Sequence, residues 1–137
     1  MSERDPSLAA AFVAATDDDT RLVHLDYHLQ NVLVDGGQIT GVIDWVNAGR
    51  GDVRVDFART MALLDFLTMR DSSGASDEFI RTYEETWLEE MGTMQDRSLF
   101  LAVAYAITAQ DLEGRAMAEE TAALWRRAKA FRQEWAD

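Results

Sequence analysis

The stretch His24-Leu25-Asp26-Tyr27-His28-Leu29-Gln30-Asn31-Val32-Leu33-Val34, followed by Ile39 to Ile43 and then Asp44-Trp45, decides how this chain is read. It spaces a carboxylate, an amide and a second carboxylate around two short β-branched runs. Phosphoryl-transfer chemistry needs that set. One Asp orients and deprotonates an attacking hydroxyl, and an Asn with a further Asp holds the magnesium that neutralises phosphate charge. Between the runs, Asp35-Gly36-Gly37-Gln38 supplies the Asp-Gly and Gly-Gly pairs of a tight hairpin, whose turn requires positive φ. Such a hairpin puts Asn31 at the start of one strand and Asp44 at the end of its partner, side by side. One shared cation would need that geometry.

Working outward, Asp5-Pro6 reads as a helix cap followed by proline at the first helical position, which predicts a helix over Ser7 to Ala15. Asp17-Asp18-Asp19 predicts a solvated turn, and Arg21 to His24 an extended segment. After Asp44 comes a glycine-punctuated loop, Asn47-Ala48-Gly49-Arg50-Gly51-Asp52. Helices are then expected over Val55–Met69, Asp77–Met91, Ser98–Leu112 and Ala116–Trp135. The second of these carries Phe79, Ile80, Tyr83, Trp87, Leu88 and Met91 at helical spacing, with Gly92 as its stop. The run Leu99 to Ile107 is apolar on nearly every face, which predicts the central buried helix. The fold class that follows is α+β, mainly α: a short β-hairpin packed on a helical bundle. All 137 residues read as one domain, with the catalytic loop and metal hairpin in 21–58 and a helical, substrate-side part in 59–137.

Composition narrows the function. A formal net charge of −12 argues against nucleic acid or an anionic membrane as partner, since phosphate surfaces demand basic patches, and a cationic ligand would suit it. No apolar run is long enough to span a bilayer. The sequence has Cys 0, which removes disulfides and thiolate zinc sites and fits a cytoplasmic protein.

The His-x-Asp-x-His-x-x-Asn loop, the strand–turn–strand ending Ile-Asp-Trp, and then Gly-Arg-Gly-Asp with Asp-Phe-Ala together resemble the C-terminal lobe of the aminoglycoside phosphotransferase family. That family includes choline-kinase-like enzymes and shares its catalytic core with protein kinases; the matching stretch is His24 to Ala58. The resemblance implies a kinase-like C-lobe with Asp26 as catalytic base and Asn31 and Asp44 as magnesium ligands. It makes His24, His28 and Asp56 structural supports of the loop, Asp56 through the loop's backbone amides. Asp56 also reads as an ordinary carboxylate at a helix N-terminus. In an extended segment His24, Asp26 and His28 share one side, so a transition-metal site and a metallohydrolase are a competing reading. Three positions depart from the family pattern: Leu25 replaces a common glycine, and Leu29 and Val53 replace frequent prolines.

A kinase site also needs a glycine-rich loop and a strand lysine on the nucleotide. No glycine precedes His24, and Lys129 is the only lysine in the sequence. The expectation is therefore a phosphotransferase lobe lacking its nucleotide-binding half and inactive alone: a fragment or internally started gene model, a short protein completed by a partner, or a degenerate descendant. Magnesium is the implied cofactor, with ATP as donor only if the other lobe is supplied. The substrate is expected to be a small-molecule hydroxyl compound, aminoglycoside-like, choline-like or sugar. Its amine would meet acidic residues drawn from Glu84, Glu85, Glu89, Glu90, Asp111, Glu113, Glu119 and Glu120, most of which otherwise read as solvated helix faces. The surface facing an absent lobe would be partly apolar, so self-association is expected. The alternative is a non-catalytic ligand-binding or dimerisation module derived from the same family.

Overall fold

The computed structural model describes residues 6–16 and 21–137. Asp5 and Asp17 to Asp19, invoked above as a cap and a turn, lie outside them. The described elements run α1 (Pro6–Ala15), β1 (Arg21–Val23), a 3₁₀ turn (Leu29–Asn31), β2 (Val32–Asp35), β3 (Gln38–Val42), β4 (Gly49–Gly51), α2 (Val53–Thr68), α3 (Ala75–Met91), α4 (Arg97–Leu112) and α5 (Ala118–Ala136). The class is α+β, mainly α. Among the described residues no helix is long and apolar enough to cross a membrane.

β2 and β3 form the expected antiparallel hairpin, closed by Gly36 and Gly37 at φ 55° and 78°. Two consecutive positive φ values give the turn whose twist matches its flanking strands, and only glycine adopts both without strain. The register is not uniform. Asp35 pairs with Gln38 and Val34 with Ile39, but Leu33 pairs with Gly41 and Val32 with Val42, so Thr40 is bulged out. The bulge advances the pairing by one residue. Asn31 therefore meets Ile43 instead of Val42, one residue short of Asp44, and the Ile43 N–H donates to the Asn31 carbonyl at 2.9 Å.

A second ladder was not expected. Gly49–Gly51, predicted as loop, pairs as β4 with Arg21–Val23 in antiparallel register. Nothing local to Gly-Arg-Gly favours a strand. The pairing is imposed by a partner 28 residues away, a tertiary effect that routinely overrides strand propensity.

The helices bury one continuous core from α2 (Phe57, Ala58, Met61), α4 (Phe100, Leu101, Tyr105) and α5 (Leu124, Ala128). α4 is the central helix, as its apolar run implies, and packs against α1, α2 and α5. One residue of that run escapes: Ile107 is 46% exposed. α3 is bounded by Gly74 and Gly92, both at positive φ, and none of its residues is fully buried despite its apolar stripe. It rests on the core through rings, Phe57 lying 5.9 Å from Tyr83 and 4.7 Å from Trp87 between centroids.

Polar residues lock the helix ends. Asp52 caps α2 by accepting from the Arg54 N–H at 2.9 Å and pairs with the Arg54 guanidinium. That guanidinium also donates to Ala15 O (2.8 Å) and Gln95 O (3.3 Å) and lies over the Phe100 ring, tying α1, α2 and the approach to α4 together. Buried Asp65 accepts from the Tyr105 hydroxyl at 2.8 Å and pairs with Arg127 at 2.7 Å. Burial and that carboxylate push the Tyr105 hydroxyl well above its ordinary range. At the far end, Arg70 donates to both Glu120 oxygens at 2.7 and 2.9 Å. The Arg70 hydrogen bond, with a second from the Met117 N–H, holds the Glu120 carboxyl down at about 2 from an ordinary 4.5.

A depressed carboxylate stabilises the fold above its unfolded value and loses that contribution as pH falls through its folded value. The Tm gap between wild type and Glu120→Gln is therefore expected to be full at neutral pH, to narrow below about pH 4.5 and to close towards pH 2. Thermal unfolding followed across that range checks it.

Candidate active site

The loop between β1 and the 3₁₀ turn is built from its backbone. Asp56, in the first turn of α2, accepts from the His24 N–H at 3.0 Å through Oδ2 and from the Leu25 N–H at 2.8 Å through Oδ1. One carboxylate thus holds two consecutive amides of the loop. With its N–H fixed there, Leu25 takes φ 65°, the left-handed region that a leucine adopts only at a cost of about 1 kcal/mol or more. That strain accounts for the glycine common at this position in the related pattern. The other two departures are easily accommodated: Val53 is the first residue of α2, where proline is tolerated, and Leu29 opens the 3₁₀ turn, 40% exposed.

His24 is buried and has both ring nitrogens engaged. Nδ1 accepts from the Asp26 N–H at 3.2 Å, so the ring proton is on Nε2, which donates to the Ile43 carbonyl at 2.9 Å. The ring therefore bridges the loop to the residue before Asp44. This commitment removes His24 from any transition-metal site. Among the described residues, no three His, Cys, Asp or Glu side chains are grouped to hold a metal ion, so the His24–Asp26–His28 metallohydrolase reading has no geometry behind it.

Asp26 and Asn31 meet. The Asn31 amide nitrogen donates to the Asp26 carbonyl at 2.8 Å and to its carboxylate at 3.2 Å. With that nitrogen spent on Asp26, the amide oxygen is the group Asn31 has left for a cation. His28 caps the 3₁₀ turn, its Nδ1 accepting from the Gln30 N–H at 3.3 Å, and its Nε2 faces the Asp26 carboxylate at 3.5 Å. Asp44 follows Ile43 in a left-handed conformation, φ 60°, and is exposed. Its neighbours on both sides are fixed to His24: Ile43 by the hydrogen bond above, Trp45 by a ring contact at 4.6 Å. The Trp45 indole N–H also donates back to Val42 O at 2.8 Å, which forces the chain to reverse at Asp44. Among the described residues the Asp44 carboxylate makes no hydrogen bond or ion pair. Asp26, Asn31 and Asp44 offer oxygen donors only, the set a hard divalent cation prefers.

Sequence reasoning passed over two contributors. Tyr27, beside Asp26, stacks on Tyr83 of α3 at 6.1 Å and contacts the His24 ring edge-on at 6.2 Å. Burial pushes the Tyr83 hydroxyl up to about 12. Trp45, read only as part of Ile-Asp-Trp, turns out to clamp the chain at Asp44. An aromatic directly after each of the two carboxylates was the available signal. Of the acidic residues expected to meet an amine, Glu120 pairs with Arg70, Glu84 with Arg97 and Asp111 with Arg59.

These features have relatives. The sequence pattern of the phosphotransferase enzyme family (APH) matches residues 2–97, well over half of the chain. The chain belongs to the phosphotransferase enzyme family. It is also 31% identical over 93 residues to the homoserine kinase of Neisseria meningitidis serogroup B (strain ATCC BAA-335 / MC58). That match covers 61% of this chain and 30% of the kinase, so the phosphotransferase chain described here spans only part of its relative's length. No solved structure matches it.

If the Asp56 carboxylate holds the loop, Asp56→Asn, which replaces one acceptor by a donor, should cost about 2 kcal/mol of stability. It should also speed hydrogen exchange at the His24 and Leu25 amides by more than about ten-fold. A carboxylate acting only on the helix dipole would give less than about 1 kcal/mol and leave those two amides unchanged. Denaturant unfolding with amide exchange by NMR distinguishes the two.

Proposed function

We propose that this chain is the catalytic lobe of an ATP-dependent phosphotransferase acting on a hydroxyl of a small molecule. The observation that carries the reading is the contact between Asn31 and Asp26 on a loop whose amides are held by Asp56. Asp26 is proposed as the base. Its carboxylate orients the substrate hydroxyl and takes its proton as the new oxygen–phosphorus bond forms and the bond to the ADP oxygen breaks. Asn31, through its amide oxygen, and Asp44 are proposed to hold magnesium. When bound, that ion would supply neutralisation of the phosphate charge. The strain at Asp44 fits a side chain pre-set toward a ligand, since left-handed non-glycine residues gather at functional sites. His24 and His28 then act as supports, one bridging Asp26 to Ile43 and the other facing the Asp26 carboxylate.

The groups that grip the nucleotide are proposed to come from a second lobe, in the same polypeptide or in a partner. This accords with a match covering 30% of the related kinase and with a sequence whose one lysine, Lys129, lies in α5. Homoserine is one candidate alcohol; an aminoglycoside-like, choline-like or sugar hydroxyl is equally compatible with this lobe.

A second reading, a non-catalytic module that binds a ligand or a second copy, is favoured by one observation. Leu33, Val34, Ile39, Ile43, Trp45 and Val46 on and beside the hairpin are all exposed, Val46 at 88%. Exposed apolar side chains gathered on one short segment are a feature of interaction surfaces.

Under the phosphotransferase reading, once the nucleotide-binding lobe is joined to this chain, magnesium with ATP raises Tm by several degrees, and Asp44→Asn or Asn31→Ala removes most of that rise. Asp26→Asn keeps the rise but abolishes phosphoryl transfer to a hydroxyl acceptor once the nucleotide-binding lobe is present. Thermal-shift titration and a transfer assay on the joined lobes provide the measurements. No shift with nucleotide, together with concentration-dependent dimerisation in sedimentation, supports the second reading instead.

A further inference from the structure

Asp26 lies between two residues that are held from different sides, Leu25 by its backbone and Tyr27 by its ring. We propose that Tyr83 of α3 is a positioning residue for Asp26, acting through the Tyr27 ring. Its importance for phosphoryl transfer rests on Asp26 being the base; the positioning itself does not.

α2 supplies the seat. Phe57 is fully buried, and the Tyr83 ring lies nearly parallel to it, at 10° and 5.9 Å between centroids. The Tyr27 ring lies in turn against Tyr83, at 30° and 6.1 Å. Ring pairs at centroid separations of about 4.5 to 7 Å attract one another beyond the area they bury. Phe57 directly follows Asp56, whose carboxylate holds the His24 and Leu25 amides. Both supports of Asp26 therefore lead back to consecutive residues of one helix. The residue before Asp26 is fixed through its N–H by Asp56, and the residue after it is fixed through its ring by Tyr83 on Phe57.

The hydroxyl fastens the ring. Thr60 Oγ1, one turn beyond Asp56 on α2, is fully buried and has no partner at hydrogen-bond distance among the described residues. Buried hydroxyls are paired in the great majority of cases. Tyr83 is the group placed to pair with it. Burial pushes the Tyr83 hydroxyl up to about 12, Thr60 opposes that rise as a hydrogen-bonding neighbour, and the Asp56 charge adds to it. The other ring of α3 on Phe57 is Trp87, at 4.7 Å, which makes no ring contact with the loop among the described residues. None of the residues of α3 is fully buried, so Tyr83 is the ring through which this lightly covered helix reaches Tyr27 and hence Asp26.

Amide exchange by NMR on the chain, with Trp87→Leu as the control, tests this. Tyr83→Leu and Trp87→Leu each remove one ring that α3 rests on Phe57, but only the first removes the support of Tyr27. The Asp26 amide, which donates to His24 Nδ1, should exchange about ten-fold faster in Tyr83→Leu and stay at the wild-type rate in Trp87→Leu, with the α4 amides unchanged in both. Tyr83→Phe, which keeps the ring, should hold the Asp26 amide within about three-fold of wild type. It should also be non-additive with Thr60→Val, the double variant losing no more Tm than the larger single change. In the joined enzyme, Tyr83→Leu should lower kcat about ten-fold with KM for ATP unchanged, while Trp87→Leu leaves kcat as it is. Equal exchange at Asp26 in the two leucine variants would make Tyr83 a mere anchor of α3 and overturn the proposal. So would an Asp26 amide untouched by Tyr83→Leu, or faster exchange spread evenly over α4. A joined wild-type enzyme that transfers no phosphate defeats the phosphotransferase reading alone, since the exchange rates still decide whether Tyr83 positions Asp26.

Discussion

The carboxylate of Asp56, accepting from the His24 and Leu25 amides, is the constraint on which the rest of the site depends. Asp56 belongs to α2, and the next residues of that helix, Phe57 and Ala58, are fully buried in the core. The loop is thereby referenced to the buried core of the molecule. Fixing two successive amides sets the direction of the chain at Leu25 and hence the place where Asp26 begins. A charged acceptor taking two N–H groups is worth more than two neutral hydrogen bonds, so the loop can hold a conformation its sequence does not favour.

The second consequence is a relay of fixed groups. His24, held at its own N–H by Asp56, uses both ring nitrogens to join Asp26 to Ile43, and its ring face packs on Trp45. The chain on both sides of Asp44 is thus placed by the same imidazole that positions Asp26. Leu25 and Asp44, both left-handed, flank this imidazole in the fold. Each is held by its neighbours rather than by its own preference, which is how strain persists at such sites. The membership of this chain in the phosphotransferase enzyme family fits that arrangement, and the Leu25 departure from the family pattern gives its loop a side chain where glycine would leave none.

Much of the site was legible because its residues lie within one short stretch and their spacing maps directly onto a strand–turn–strand unit. Gly36-Gly37 specified the hairpin through φ alone, and the apolar run of α4 specified the central helix through its lack of a polar face. What was not legible depended on distant partners. β4 exists because Arg21–Val23 is there to pair with it. The bulge at Thr40, which sets Asn31 opposite Ile43, is a packing outcome with no glycine or proline to announce it. Arg54, reaching Ala15, Gln95 and the Phe100 ring, read as one more charged residue. The amphipathic stripe of α3 correctly gave a helix but overstated its burial, since a stripe shows which face is apolar and not how deeply it is covered.

The sequence by itself determined which groups are available: two carboxylates, an amide and two imidazoles at fixed spacing, a tight turn, and helices with apolar faces. These are local properties, set by dihedral preference and periodicity. Only the tertiary structure decided how those groups are held. It committed His24 to two hydrogen bonds and so withdrew it from metal binding. It gave Asp56 to the loop amides rather than to the helix dipole alone, and paired Asp111 of α4 with Arg59 of α2. The reason is that hydrogen-bond partners, burial and strain are relations between segments far apart in the chain, and no local pattern encodes which of them will meet.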